Sequence, residues 1–455
     1  METNASLVRK YNVPVPRYTS YPTVPFWKDR IDGRQWQSHV RQKLSAATAE
    51  GISLYVHLPF CESLCTYCGC NKKITTRHEV EAPYLKAVLR EWSQYRALMD
   101  KPPVIREIHL GGGTPTFFSP GHLTTLVEGL LKEAIIHPHH EFSFEGHPNN
   151  TARAHLGALF ALGFRRVSYG VQDLNPEVQR IINRVQPFEN VRRATEMARA
   201  VGFSSVNFDL IYGLPRQNEE RLVHTVQQSV SLRPDRIAFY SYAHVPWTSR
   251  GQRLFDEGDL PGADEKLALY ERGRRLFAAN GYADIGMDHF ALPGDELYAA
   301  RESGTLHRNF MGYTSRQSDV LVGLGVSAIS DMGDAFAQNS KTLAGYYEAI
   351  GEARPAIEKG YFSDEEDTLF RRHILDIACK GETQLTNQYR PLVKELVIPV
   401  LAALQEDGLV TLEEDLVRVT ALGRSFLRNI CSAFDLRLLR GRAQGAGVPL
   451  FSKAV

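Results

Sequence analysis

Between residues 52 and 242, six short runs rich in β-branched and aromatic residues recur: ISLYVHL (52–58), VIREIHL (104–110), EFSFEGH (141–147), RRVSYGV (165–171), SSVNFDLIY (204–212) and DRIAFYSY (235–242). Such runs read as strands. The segments between them, such as EAPYLKAVLREWSQYRAL, HLTTLVEGLLKEA and ENVRRATEMARAV, have helical periodicity. In the last, Val191, Ala194, Ala198 and Val201 make one apolar stripe, and Arg192, Arg193, Glu196 and Arg199 take the other side. That is the 3.6-residue period of an amphipathic helix. The alternation predicts an α/β protein with a parallel sheet and right-handed crossovers. The sheet is either open and doubly wound or curled into a full or partial (β/α) barrel. In each case the reactive groups gather at the carboxyl ends of the strands. Cysteines follow the first run and three glycines the second. Glu145 lies near the end of the third, Gln172 just past the fourth, Asp209 late in the fifth and Ala243-His244 past the sixth.

The flanks read differently. Residues 1–50 begin irregularly, with Pro14, Pro16, Pro22 and Pro25. Residues 250–350 are mixed, with Gly-rich turns. From 363 to 445, helical patterns precede LVTLEEDLVRVTALGRSFLRNI. A helix, a two-strand wing and a helix fit that order and resemble a winged-helix fold. With no basic recognition stripe it reads as a cap on the barrel rather than a DNA reader, and Arg437, Arg440 and Arg442 read as a solvated basic cluster.

The chain has 455 residues, with 53 Lys+Arg against 52 Asp+Glu, a formal net charge of +1. That balance argues against a nucleic-acid or membrane-surface binder. A 43% hydrophobic and 23% charged composition fits a soluble globular protein. The start, METNASLVRK, lacks a signal peptide's apolar run, and no stretch approaches the ~18 apolar residues of a membrane helix. A cytoplasmic protein is expected. Its six cysteines are no disulfide framework. Cys379 and Cys431 stand in helical runs as buried small hydrophobes. Cys61, Cys65, Cys68 and Cys70 fall together and need a chemical reason. Thiolates suit zinc or an iron–sulfur cluster. A zinc knuckle takes a fourth ligand from Cys70 or His57. Alternatively, three thiolates hold three irons of a [4Fe–4S] cluster and leave the fourth open to a ligand.

The Cys61, Cys65, Cys68 spacing, with Tyr67 directly before the third cysteine, resembles the radical S-adenosylmethionine (SAM) superfamily. Beyond the loop, RYTSYPT, SLYVHLPFCESLCTYCGCNK, HLGGGTPT, GVQDLNPEVQRIINR, NFDLIYGLP, YAHVP, GMDHFA, LHRNFMGYT and GVSAIS occur in that order. Together they resemble the oxygen-independent coproporphyrinogen III oxidases, from about residue 9 to about 440. The resemblance implies a partial (β/α) barrel of the radical SAM type: an N-terminal extension closing over the site (1–45), a barrel core (46–280), a barrel-completing segment lining the substrate cavity (281–355) and a smaller, mostly helical, winged-helix-like C-terminal domain (356–455). It implies oxidative decarboxylation of two propionates of coproporphyrinogen III to vinyl groups, in heme biosynthesis, with a [4Fe–4S] cluster and two SAM molecules. It further implies a reductant protein such as flavodoxin or ferredoxin, and a monomer with no nucleic-acid or membrane partner.

By position, the resemblance gives the cluster Cys61, Cys65 and Cys68. It gives SAM Tyr55, Tyr67, Gly112, Gly113, Thr114, Glu145, Gln172, Arg184, Asp209, Ala243 and Ile329. Cys70 is this branch's fourth cysteine, a possible catalytic group and not an expected cluster ligand. Alternation turns Asp209 inward, and Arg184 is its candidate partner, since a buried carboxylate needs one. Arg17 and Arg308 are candidates to clamp substrate propionates. His109, His289 and His307 lie in family motifs and are possible lining of the substrate cavity. Where many members have Glu-Val-Asp-Pro, this chain has Glu145-Gly146-His147-Pro148. His147 reads as a solvated turn histidine able to titrate near neutrality. A heme chaperone, a heme-opening radical SAM methyltransferase and, from outside the family, a zinc-stabilised α/β hydrolase or isomerase are the rival readings. The chaperone branch lacks the RYTSYPT extension and the fourth cysteine, and carries an HNxxYW motif where this chain has GMDHF.

Overall fold

The computed structural model describes residues 5–443 and 451. Residues 1–4, within the expected extension, and 444–450 and 452–455, within the expected C-terminal domain, lie outside the described residues. All six expected strands form: β1 Ile52–Leu58, β2 Val104–Gly112, β3 Ile135–Gly146, β4 Phe164–Gln172, β5 Ser205–Tyr212 and β6 Arg236–Ser241. They pair in parallel in chain order. β3 begins earlier than expected. Its first residues pair Val104 with Ile135 and Ile105 with Ile136, and the register then shifts before Glu107 meets Glu141. Pro138 falls in that irregularity, where its missing N–H costs no ladder bond.

A seventh parallel strand, β7 Val320–Leu324, lies against β1 with all five residues buried. It falls in the mixed region of the sequence, where the run VLVGLGV is short and interrupted by glycine and so carries little strand signal. The strands sit in a 13-stranded sheet, extended antiparallel beyond β7 and beyond β6. The sheet is concave. Glu141 on β3 and Arg236 on β6, three strands apart, bring their side-chain ends to 3.6 Å across its polar face. With its edges unjoined among the described residues, it is a partial barrel.

Alternation decides what faces which way. Leu54, Val56, Leu58, Ile108, Leu110, Phe142, Phe144, Val167, Phe208 and Ile237 are almost fully buried in one core. The amphipathic helices pack against that face. The expected helix spans Phe188–Val201, buries Val191, Ala194 and Ala198, and ends at Gly202 with φ 116°. The alternate residues are polar and face the concave side.

The C-terminal part runs as helix Glu365–Lys380, strand Glu382–Gln384, helix Ile398–Glu406 and strands Val410–Glu413 and Leu416–Val419. The sheet has three strands instead of the expected two. The tail arginines are not simply solvated. Arg437 donates to Asp367 at 2.7 Å, and Arg440 grips both oxygens of Glu366 at 2.6 and 2.8 Å. A second core joins this part to Val8, Tyr18 and Tyr21 of the N-terminal strap and to Ile285 and Met287. Tyr18 donates to Asp435 at 3.0 Å, Arg428 to the Val15 carbonyl, and Arg17 to the Ser241 carbonyl at the end of β6 at 2.8 Å.

One buried carboxylate ties the helices to the barrel's β7 side. Glu91 accepts from Gly325 N–H (2.7 Å), Tyr346 OH (2.7 Å) and Asn339 Nδ2 (2.6 Å). Burial pushes its carboxyl up to about 7, although those three donors oppose the rise. Glu91→Ala leaves three buried donors unmatched. It is expected to cost about 3 kcal/mol or more, read as a lower urea midpoint. Because the folded state holds this proton above the unfolded value, the stability it contributes is present below about pH 4.5 and lost as pH rises through 7. Glu91→Gln should flatten that slope.

Candidate active site

The cysteine loop leaves the carboxyl end of β1 and is stitched to the turn after β2. Gly113 N–H donates to Leu58 O at 2.8 Å and Thr114 N–H to Phe60 O at 3.0 Å. Thr114 Oγ1 lies 3.3 Å from Cys61 Sγ. From the β4 side, Thr66 N–H donates to Ile182 O at 3.0 Å and Arg184 Nη1 lies 3.5 Å from Cys65 Sγ. From beyond β6, Ser249 Oγ donates to Cys68 O at 3.1 Å and Gln252 Nε2 to Tyr67 O at 2.8 Å. Gln252 also reaches Ala243 O at 3.2 Å, which ties that expected residue to the loop.

The thiols sit in unlike surroundings. Burial pushes Cys61 up to about 11, with Thr114 opposing. The hydrogen bond with the Cys70 thiol brings Cys68 down to about 6, and the same bond raises Cys70. Soft thiols on one loop, with a backbone that cannot spread, fit an iron–sulfur cluster held by Cys61, Cys65 and Cys68. The zinc alternative fits less well. Asn71 O accepts from His57 Nε2 at 2.8 Å, so Nδ1 accepts from Tyr55 OH at 3.0 Å, and neither nitrogen is left for a metal.

The glycines after β2 are required by close approach. A Cβ on Gly112, which has φ 112°, would lie 2.6 Å from the His57 ring, and one on Gly113 would lie 2.6 Å from the Pro59 backbone. Gly112 N–H donates to Glu145 Oε2 at 3.1 Å. Burial alone would raise the Glu145 carboxyl, but His109, at 3.4 Å, and Gly112 hold it below the usual range. Tyr55 stacks on His109 with ring centroids 6.0 Å apart.

Asp209 corrects an expectation. Its carboxylate meets Ser168 Oγ (3.0 Å) and Asn207 Nδ2 (2.9 Å), not Arg184. Burial, with Glu145 nearby, raises it to about 7. Arg184 instead donates to Gly170 O at 2.6 Å and to Cys65. A Cβ on Gly170 would meet the ends of the Gln172 and Arg184 side chains, at 2.6 and 2.9 Å, and would push them aside. Gln172 itself takes φ 65° at the strand end. Ile329 lies beyond β7, its backbone filling the space over Gly323, the residue paired with Tyr55.

His147 is not a solvated turn residue. Burial, with Arg184 nearby, lowers it to about 3, and it stays neutral near pH 7. Cys379 and Cys431 are buried as expected. Sequence reading missed Ser143, Ser168, Asn207 and Gly170. Their signal was the period-2 alternation that carries them to the concave face beside Glu145 and Asp209.

The family model described as "Radical SAM superfamily" matches residues 55–228. The oxygen-independent coproporphyrinogen III oxidase of Pseudomonas aeruginosa is 40% identical over 441 residues, covering 95% of each chain. That of Escherichia coli is 37% identical over 465 residues, covering 100% of this chain and 99% of its own. The chain belongs to the oxygen-independent coproporphyrinogen III oxidase family. A solved structure of coproporphyrinogen III oxidase from Escherichia coli, described as a radical SAM enzyme, superposes with a TM-score of 0.87 at 36% identity, covering 96% of this chain and 99% of that one. Family membership at full length does not favour the chaperone or methyltransferase readings.

Gly112→Ala adds a Cβ against the His57 ring at an unfavourable φ. It is expected to cost about 1–3 kcal/mol, measured by thermal unfolding, and to weaken SAM binding at least tenfold in equilibrium dialysis of the cluster-loaded protein.

Proposed function

We propose that the chain converts two propionates of coproporphyrinogen III to vinyl groups without oxygen, giving protoporphyrinogen IX. Each conversion removes one hydrogen atom, one CO2 and one electron from a propionate. Cys61, Cys65 and Cys68 would hold a [4Fe–4S] cluster. Tyr55, Tyr67, Gly112, Gly113, Thr114, Glu145, Gln172, Arg184, Asp209, Ala243 and Ile329 would hold two SAM molecules. When bound, this pair of cofactors supplies hydrogen-atom abstraction, started by one-electron cleavage of a sulfonium. Glu145 and Asp209 offer hydrogen-bond acceptors to ribose hydroxyls, and the Gly112–Thr114 backbone offers its close approach. Cys70, hydrogen-bonded to Cys68, remains a candidate for a catalytic part.

The observation that carries the reading is a buried cation without an anion. Arg308 is 4% exposed, yet its Nε and Nη1 have no hydrogen-bond partner among the described residues. Its guanidinium lies over Tyr313 at 4.7 Å and its Nη2 reaches Arg17 O at 3.3 Å. Arg17 lies over Tyr240 on the concave face of β6. Burial, with Arg308, Arg236, Arg17 and Arg166 nearby, lowers His289 to about 3. A buried, unpaired guanidinium is costly, and a substrate carboxylate matches its two free donors. The strap of residues 1–45, fixed through Arg17 and Tyr18, acts as the closure over this site; 46–280 is the core, 281–355 brings Arg308, and 356–455 forms the C-terminal domain.

A one-electron carrier protein supplies the reductant, and the chain works as a cytoplasmic monomer. No described helix is long and apolar enough to cross a membrane. Anaerobic incubation of reduced, cluster-loaded protein with SAM and coproporphyrinogen III should yield protoporphyrinogen IX, CO2 and 5′-deoxyadenosine, followed by chromatography. Tight heme binding without CO2 release would sink the reading. Arg308→Ala should raise KM for coproporphyrinogen III tenfold or more and leave SAM binding unchanged.

A further inference from the structure

Three register partners lie side by side on the concave face. His109 on β2 pairs with Ser143 on β3, and Ser143 pairs with Arg166 on β4. Glu145 stands two residues beyond Ser143, on the same face and nearer the carboxyl end of the strand. The bonds among these side chains have a direction, which their donor chemistry settles. A guanidinium can only donate. Arg166, anchored by its ion pair with Glu141, therefore gives an N–H to Ser143 Oγ at 3.1 Å. Ser143 is buried, and its one hydroxyl proton has His109 Nδ1 as its acceptor at 2.8 Å. Nδ1 then carries no proton, so Nε2 carries it and donates to Glu145 Oε1 at 3.4 Å. With the proton on Nδ1 instead, the Ser143 hydroxyl would be a buried donor without an acceptor, and Nε2 would set a lone pair against a carboxylate. Glu145 Oε1 is confined from another side, since a Cβ on Gly111 would lie 3.0 Å from it. Oε2 takes the Gly112 N–H at 3.1 Å. Each carboxylate oxygen thus has one donor, and the side chain stays part-exposed on the concave face.

We infer that His109 is a positioning residue for Glu145, locked by Ser143 and Arg166 in the tautomer that donates to it, and that this relay sets the carboxylate's grip on bound SAM. The inference rests on the proposed function only in taking Glu145 as a SAM contact. His109 acts through one carboxylate oxygen, and the lone pairs of Glu145 that it leaves free are the ones turned to the ligand. Packing alone would act without regard to whether residue 109 donates or residue 145 accepts.

The test is equilibrium dialysis of SAM against the cluster-loaded protein, with thermal unfolding of every variant alongside. His109→Leu fills the space but cannot donate, and should bind SAM roughly tenfold more weakly. His109→Gln restores an N–H donor and should return to within roughly threefold of wild type. Ser143→Ala keeps the His109 ring but frees its tautomer, and should bind SAM several-fold more weakly. Joined to Glu145→Gln, His109→Leu should add less than roughly twofold to the loss that Glu145→Gln causes alone. Unchanged affinity in His109→Leu would overturn the inference. So would equal losses in His109→Leu and His109→Gln, or losses that multiply in the double variant, because either marks His109 as packing. If His109→Leu does not fold, Ser143→Ala decides, and wild-type affinity there overturns the relay. Wild-type protein that makes no protoporphyrinogen IX, yet shows this pattern of SAM affinities across the variants, would count against the proposed function and leave the relay standing.

Discussion

A sheet that turns its polar side inward must find partners for most of the polar groups it buries, and that requirement organises the molecule. Strands β1 to β5 send apolar residues out to the helices and polar ones in: Ser53, Tyr55 and His57 on β1, Glu107 and His109 on β2, Glu141, Ser143 and Glu145 on β3, Arg166 and Ser168 on β4, Asn207 and Asp209 on β5. An isolated polar group in such a place costs several kcal/mol. They therefore bond sideways, strand to strand. Ser53 donates to Glu107, His109 meets Ser143 at 2.8 Å, Arg166 donates to the same Ser143 at 3.1 Å, and Ser168 meets Asp209. The resulting belt is a scaffold and, at its carboxyl end, a binding surface.

Much of this was legible because alternation is a short-range signal. The six strands, the Phe188–Val201 helix and the placement of Glu145 and Asp209 follow from local pattern. What local pattern did not carry was pairing. Asp209 and Arg184 are complementary in charge, and nothing in the sequence says that Ser168 and Asn207 reach Asp209 first. His147 follows a strand and precedes a proline, which suggests solvent, and only the fold shows the burial that keeps it neutral. The tail arginines look like a solvated cluster until the helix Glu365–Lys380 brings Glu366 and Asp367 to them. β7 was hidden for a different reason, since five residues with a glycine among them carry too little periodicity to stand out.

The loop shows how backbone bonds substitute for a rigid element. Cys61 to Cys70 has little regular structure of its own, so its shape is imposed by carbonyls and amides from three directions. Glycines permit this. Without Cβ atoms at Gly112 and Gly113, β2's turn closes onto His57 and Pro59 and fixes the first cysteine through Thr114. His57, fully engaged between Tyr55 and Asn71, acts as a prop and not as a ligand.

The strap has a consequence for the life history of the polypeptide. The partners of Tyr11, Val15 and Tyr18 are Asn429, Arg428 and Asp435, separated from them by 413 to 418 positions along the chain. The strap thus finds its resting place only among residues several hundred positions further along the chain, while contacts between neighbouring strands and helices form from nearby sequence. Closing the strap is a contact of very long sequence separation, and its loop-closure entropy makes it a slow kind of contact beside the local strand and helix pairings.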